Sequence, residues 1–183
     1  MPCVLFPKKH GSSPLDHQPK GSFAMNIRFA ALRDADGIYR LLYQVAAVHS
    51  NGRPDIFRKG AKKYNDSRLQ EILNNPDTPV FVAVNDDNYL LGYAFCVIEE
   101  IKDHPLLMDD KSLYIDDLCV EETMRGQHIG KALLEYVRAY AVSIGCRRMT
   151  LNVWECNPSA RAFYDKNGFS VLKTTMEQML EAE

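Results

Sequence analysis

The stretch Tyr114 to Leu134, YIDDLCVEETMRGQHIGKALL, decides the fold. Tyr114 to Val120 reads as a strand and a short polar turn follows. The loop Arg125-Gly126-Gln127-His128-Ile129-Gly130 then opens directly into an amphipathic helix, in which Ile129, Leu133, Val137, Tyr140, Ala141 and Ile144 keep helical spacing. A helix start leaves backbone N–H groups without intrahelical partners and carries the positive end of the macrodipole. A slim loop at that point is therefore a seat for an anion such as phosphate. Gly126 and Gly130 remove Cβ atoms where the anion's oxygens approach the backbone. Strand, glycine turn and helix also occur with nothing bound, so a plain packing reading stands beside this one.

Downstream, Gly145 stands where a left-handed cap closes the helix. Met149 to Trp154 reads as a strand, and Asn157-Pro158 as a cap and first-turn proline of a helix from Pro158 to Lys166 that ends at Asn167-Gly168. A final strand or hairpin is expected from Phe169 to Met179. Upstream, Asn26 to Ala31 alternates like a half-buried strand, and Asp34 or Asp36 is expected to cap a helix running to about His49. Ser50 to Lys63 is a basic loop. Asp66 or Ser67 is expected to cap a second helix ending near Asn75-Pro76. Val80 to Val84 and Tyr89 to Ile98 form a hairpin about the Asn85-Asp86-Asp87-Asn88 turn, and Ile101 to Lys111 is a further loop. The order β, α, α, β, β, β, α, β, α, β predicts an α/β fold: a mixed, largely antiparallel central sheet flanked by helices. The helix after Gly130 crosses over between two parallel strands.

At 183 residues, with a net charge of −2 and 46% hydrophobic residues, the chain has an ordinary globular composition and no field that points to nucleic acid. No apolar run approaches the roughly 20 residues that span a bilayer. Of the five cysteines, Cys96, Cys119 and Cys146 lie in apolar segments, which favours a reducing, cytoplasmic setting. Residues 1–24 show no periodicity and read as a leader or disordered extension, with Met25 as the expected start of a single domain over 25–183. Cys3, His10 and His17 are too widely spaced for a zinc site, and no metal is expected.

Three strings, in order, resemble the GNAT superfamily of acyl-CoA-dependent N-acetyltransferases over about Ile27 to Met179. They are Leu118-Cys119-Val120 with Arg125-Gly126-Gln127-His128-Ile129-Gly130-Lys131-Ala132-Leu133-Leu134; Leu151-Asn152-Val153-Trp154 with Asn157; and Ala162-Phe163-Tyr164 with Asn167-Gly168-Phe169. The resemblance implies a GNAT-like fold and acetyl-CoA as co-substrate, held by Leu118 to Val120, Arg125 to Ala132, Asn157 and Tyr164. His128 stands where the family usually has the first glycine of its loop motif. It is expected to take ordinary helical dihedrals in the first turn, which a Cβ tolerates.

Acetyl transfer from a thioester needs a neutral amine, and an alkylamine of pKa near 10.4 is unprotonated in only about one molecule in 2,500 at pH 7. A base and a proton donor to the departing sulfur both help. Tyr164 matches the family's tyrosine and is the candidate donor, unless Phe163-Tyr164 is simply an aromatic core pair. An acidic pair stands at this position in polyamine-type members of the family, so the resemblance implies that Asp116 and Asp117 are the candidate base or grip on a cationic acceptor. As strand neighbours they are expected to point to opposite faces, so only one of them would meet the cleft. His49 is a further candidate for the acceptor side, with a helix-terminal histidine satisfied by the dipole as the alternative.

The resulting expectation is an N-acetyltransferase that passes acetyl directly to a primary amine, with a small cationic amine favoured and a protein N-terminus or lysine open. The thiol of Cys119 is expected to sit in the core and play no chemical part. An acyl-CoA-binding sensor of the same fold is the alternative. Partners other than acetyl-CoA and the amine are not expected, apart from a homodimer, which the sequence leaves open.

Overall fold

The computed structural model describes residues 25–180. The chain runs β1 (Met25–Phe29), α1 (Ala35–Gly52), α2 (Asp66–Asn74), β2 (Val80–Asn85), β3 (Leu90–Ile101), β4 (Asp110–Val120), α3 (Ile129–Ser143), β5 (Arg148–Leu151) and α4 (Pro158–Lys166). All five strands lie in one sheet in chain order. β1 to β4 pair antiparallel, and β4 pairs parallel with β5. Short links reverse the chain between β2 and β3 and between β3 and β4, the two helices α1 and α2 together return it antiparallel from β1 to β2, and the single helix α3 carries it back to the same end of the sheet, so that β5 runs parallel to β4.

A core lies on each face of this sheet. Ile38 and Leu41 of α1 and Leu69 of α2 pack with Val82, Tyr93 and Phe95, while Leu133, Leu134 and Val137 of α3 pack with Phe81, Ala94, Leu113 and Ile115. Each fully buried side chain of this kind contributes about 1.5 to 3 kcal/mol. α3 approaches the sheet closely at Gly92, where a Cβ would lie 2.8 Å from the Cys119 carbonyl oxygen and 3.0 Å from Leu133 Cδ1. Only glycine fits there without movement of backbone.

Several element ends differ from the sequence expectation, each for a local reason. Asp34 stands at the N-cap of α1, as expected, but its side chain makes no capping hydrogen bond. Residues Leu32–Asp34 form a 3-10 turn, and the Asp34 carboxylate accepts from Arg28 at 2.7 and 2.8 Å and from the Ala31 amide at 2.8 Å, tying β1 to the turn. Asn65, not Asp66 or Ser67, caps α2, its Oδ1 accepting from the Arg68 amide at 2.8 Å. α1 continues past His49 to Gly52. β3 and β4 are longer than expected because Ile101 pairs with Asp110, which shortens the intervening loop to residues 102–109. β5 ends at Leu151 and does not reach Trp154.

The strand or hairpin expected over Phe169 to Met179 is absent: residues 169–180 form no regular element. They find no strand neighbour among the described residues, and Val171, Leu172 and Met176 are exposed. An apolar, β-prone run is not a strand until something pairs with it. The expected caps hold elsewhere. Gly145 follows α3 with φ of 80°, and Asn157 Oδ1 accepts from the Ala160 amide at 3.2 Å with Pro158 opening α4.

Residues 1–24, including Cys3, His10 and His17, lie outside the described residues. Among the described residues no cluster of His, Cys, Asp and Glu can hold a metal ion, and no helix is long and apolar enough to cross a membrane.

Candidate active site

β4 and β5 pair over only part of β4. Their parallel pairing covers Ser112 to Ile115 against Arg148 to Leu151 and stops there. On its other edge β4 pairs Ile115 with Cys96 and Asp117 with Phe95, which leaves Asp116 without a partner as a bulge. Beyond it, Leu118, Cys119 and Val120 have a strand neighbour on the β3 side and, among the described residues, none on the β5 side. That open edge offers backbone donors and acceptors to an extended ligand.

The bulge also corrects the reading of the acidic pair. Alternation would send Asp116 and Asp117 to opposite faces, but the inserted residue breaks the alternation and both carboxylates converge on one ammonium. Lys63 Nζ lies 3.0 Å from Asp116 Oδ2 and 3.6 Å from Asp117 Oδ2. Tyr64 donates its hydroxyl to the same Asp116 oxygen at 2.8 Å, and Tyr93 donates to Asp117 Oδ2 at 3.0 Å. The Asp117 side chain is only 9% exposed, against 32% for Asp116. Burial pushes the Asp117 carboxyl above the usual carboxylate range, against the pull of Lys63 and the hydrogen bond from Tyr93. Burial alone would lower the Lys63 ammonium, but the charge of Asp117, with Tyr64 and Asp116 beside it, holds it above its ordinary value. Burial likewise pushes the Tyr64 phenol up to about 12.

Tyr164, on α4, is 9% exposed and rests between Phe163 and Phe169, with ring centroids 5.1 and 5.4 Å away. Burial, and then the charge of Asp117, pushes its phenol upward, so it keeps its proton. The aromatic packing and the proximity to Asp117 hold together, so a core role and a place at the site are compatible.

His49 lies at the end of α1, where burial lowers its pKa against the opposing pull of Asp117. Its ring stacks on Phe57 at 4.9 Å, and Phe57 meets Trp154 edge-on at 5.0 Å. The end of α1 seats directly on the segment before α4, since a Cβ at Gly52 would lie 2.7 Å from Cys156 Sγ. Lys63, Tyr64, Tyr93, Phe57 and Trp154 were not legible as site residues from sequence. The bulge that gathers the pair did leave a signal: Leu113, Ile115, Leu118 and Val120 all face α3, and an apolar face that changes parity between positions 115 and 118 requires an extra residue.

The loop before α3 is set by Glu121, which is buried, pairs with Arg40 and accepts from Gln44 Nε2 at 2.7 Å. Gly126 has φ of 82°. His128 does not take the expected helical dihedrals: at φ 62° and ψ 8° it is left-handed and forms the N-cap of α3. This is the conformation glycine adopts at no steric cost, which is the physical reason a glycine is usual there. Among the described residues no backbone or side-chain acceptor takes a hydrogen bond from the amides of Gly126 to Lys131, while the Ala132 amide begins the helical ladder on the His128 carbonyl at 3.0 Å. At Gly130 a Cβ would make ordinary contacts, 3.4 Å to Val120 Cγ2 and 3.5 Å to Phe163 Cζ. Arg125 Nε donates back to the Val120 carbonyl at 3.4 Å, and Lys131 pairs with Glu135 at 3.7 Å. The Cys119 thiol is buried against the Leu41 carbonyl at 3.7 Å and pushed up to about 12 by burial, so it stays a thiol.

A slim loop that opens into a helix start with free amides is the arrangement the sequence led us to expect; the bulge beside it is not. The family model described as "Acetyltransferase (GNAT) family" matches residues 43–169. The chain belongs to the acetyltransferase (GNAT) family. This GNAT chain is 31% identical over 107 residues to the peptidyl-lysine N-acetyltransferase YjaB of Salmonella typhimurium, a match covering 57% of this chain and 61% of that relative, so it spans about three fifths of that protein's length. It is 28% identical over 190 residues to a probable glucosamine 6-phosphate N-acetyltransferase of Drosophila melanogaster, covering 97% of this chain and 78% of the relative. Among solved structures, a single-site mutant of the BH1408 protein of Bacillus halodurans superposes with a TM-score of 0.82 at 33% identity, covering 85% of this chain and 99% of that one. The mixed sheet flanked by helices is the GNAT fold.

Proposed function

We propose that the chain transfers acetyl from acetyl-CoA directly to a primary amine, with a small cationic amine favoured. The observation that carries this reading is the convergence of Asp116 and Asp117 on the Lys63 ammonium, within reach of the charge that also acts on Tyr164. The site holds a primary ammonium already, in the form of the protein's own side chain. The amine of the YjaB relative's named substrate, a peptidyl lysine, has the same chemistry.

The residues present suit acetyl-CoA. The free amides from Gly126 to Lys131 receive the pyrophosphate, with Arg125 and Ala132 flanking them, and the open edge of Leu118 to Val120 takes the amides of the pantetheine arm. Asn157 supports this region by capping α4, its side chain being engaged there. When bound, acetyl-CoA supplies the thioester. Asp117, with Asp116, accepts the proton that the ammonium must lose before its nitrogen can attack the carbonyl carbon. Tyr164 gives its proton to the sulfur as the carbon–sulfur bond breaks, and the second proton lost by the attacking nitrogen as it becomes an amide restores the phenol. No cysteine takes part.

The test is thiol release from acetyl-CoA with the purified chain against cadaverine, spermidine, a lysine peptide, a protein N-terminal peptide and glucosamine 6-phosphate. Turnover with cationic amines ahead of the sugar phosphate is expected. Tight CoA binding without thiol release for any amine would make the chain a binding module.

A further inference from the structure

The acidic pair is not free to receive an acceptor. Lys63 sits on both carboxylates, its ammonium 5.3 Å from the Tyr64 ring centroid, in a segment that joins α1 to α2. Two carboxylates and one ammonium leave one negative charge at the position where the reading above places the acceptor's own ammonium. An acceptor RCH2NH3⁺ and the Lys63 side chain present the same group to the same oxygens, so both cannot make the same contacts at once.

We propose that Lys63 is a specificity-determining residue, a built-in competitor that holds the acceptor's place on Asp116 and Asp117 and yields it to a cationic amine. The proposal rests on the acidic pair being the acceptor site.

The neighbours show how the exchange takes place. Lys62 is anchored by Asp66 at 2.9 Å and lies 3.7 Å over the Tyr39 ring, while Tyr64 is tied to Asp116 at 2.8 Å. The backbone on both sides of Lys63 is thus pinned, and its four-carbon stem is the part that can swing. The Lys63 side chain is 36% exposed, so its path outward is open.

A competitor lowers apparent affinity by the fraction of time the pair is vacant. If Lys63 vacates it in about a tenth of the molecules, the acceptor's dissociation constant is about tenfold weaker than the pair could give. The outcome also selects: an amine that binds only through its ammonium gains little over Lys63, so a good acceptor needs a second contact.

The experiment is calorimetric titration of the unaltered chain, Lys63→Met and Lys63→Arg with pentylamine, and with pentanol as the uncharged control. We expect Lys63→Met to bind pentylamine about tenfold more tightly, Lys63→Arg to match the unaltered chain, and pentanol to distinguish none of them. In thiol-release assays the KM for the amine should fall in Lys63→Met while the KM for acetyl-CoA stays fixed. Unchanged or weaker pentylamine binding in a folded Lys63→Met protein would overturn the proposal. Should that variant fail to fold, the Cε resonance of Lys63 in ¹³C-lysine-labelled unaltered chain decides it: the resonance should move on adding pentylamine, and a resonance that stays still would overturn it. Because binding is read without turnover, absence of acetyl transfer would count against the proposed function and leave this result standing on its own.

Discussion

The two banks of the cleft are built in different ways. The loop before α3 is one continuous run, Arg125 to Lys131, whose function depends on backbone amides and on where a helix starts. The proposed acceptor side draws Lys63 and Tyr64 from the segment before α2, Tyr93 from β3 and Asp116 and Asp117 from β4. The first depends on local geometry and tolerates side-chain change so long as the amides stay free. The second depends on particular side chains brought together by a register shift, and each removal leaves a charge or a hydroxyl unpartnered.

The sharpest break in this comparison comes from Tyr164, which stands between the banks. Tyr164→Phe keeps the aromatic packing and removes only the proton. It should lower kcat by about 10² to 10⁴ while acetyl-CoA affinity, measured by calorimetry, changes little. An equal rate, with chemistry shown to limit turnover, would return Tyr164 to the core.

Next in size is the acidic pair, where burial predicts that the two carboxylates differ. Asp117→Asn should lower kcat/KM by about 10² if Asp117 is the base, and Asp116→Asn, at the more exposed position, by about tenfold or less. The pH profile carries a further mark. In the proposed role Asp117 acts as carboxylate and its pKa is raised, so the rate should fall as pH drops through a value above the ordinary carboxylate range, and this limb should vanish in Asp117→Asn. The sign for stability is opposite. A carboxyl whose folded pKa exceeds its unfolded value favours folding when protonated, so that contribution is lost as pH rises between the two values. Lys63, Tyr93, Asp116 and His49 all act on this carboxyl. Lys63 pulls its pKa down, so Lys63→Met should move the limb to higher pH. The amine's own ionisation is common to parent and variants and cancels in the comparison.

The same contrast explains what could be read from sequence. The helix start after Gly126, the left-handed Gly145 and the Asn157-Pro158 cap are signals carried by a few adjacent residues, and the structure holds each of them, though His128 is left-handed where helical dihedrals were expected. The pairing of Asp116 with Asp117 was read and their shared direction was not, because direction is set by β3: a bulge is a property of two strands, and one strand's residues show it only as a change in apolar parity. Lys63 was visible only as one of several cations in a basic loop. Its position depends on α1 and α2 packing over the same face of the sheet as Asp117. The missing terminal strand has the same origin, since the apolar run after Phe169 fits a strand and finds no neighbour among the described residues.

The smallest expected effect tests the backbone side. His128 is held at φ 62°, a conformation that a residue with a Cβ adopts at a cost of about 1 to 2 kcal/mol and glycine adopts freely. His128→Gly should therefore relieve the loop without disturbing a packed contact, since the His128 side chain is exposed. Part of the gain is offset because glycine loses more freedom on folding, roughly 0.5 to 1 kcal/mol. The net expectation is a modest rise in unfolding free energy, of about 0.5 to 1 kcal/mol, read by urea denaturation without CoA. If the amides of Gly126 to Lys131 alone hold the pyrophosphate, CoA affinity should stay within about threefold of the parent, as this substitution removes no N–H donor. A fall of tenfold or more in a folded, equally stable His128→Gly protein would mean that the imidazole itself touches the nucleotide. The α3 loop would then depend on a side chain as the acceptor side does, and the contrast between the two banks would no longer hold.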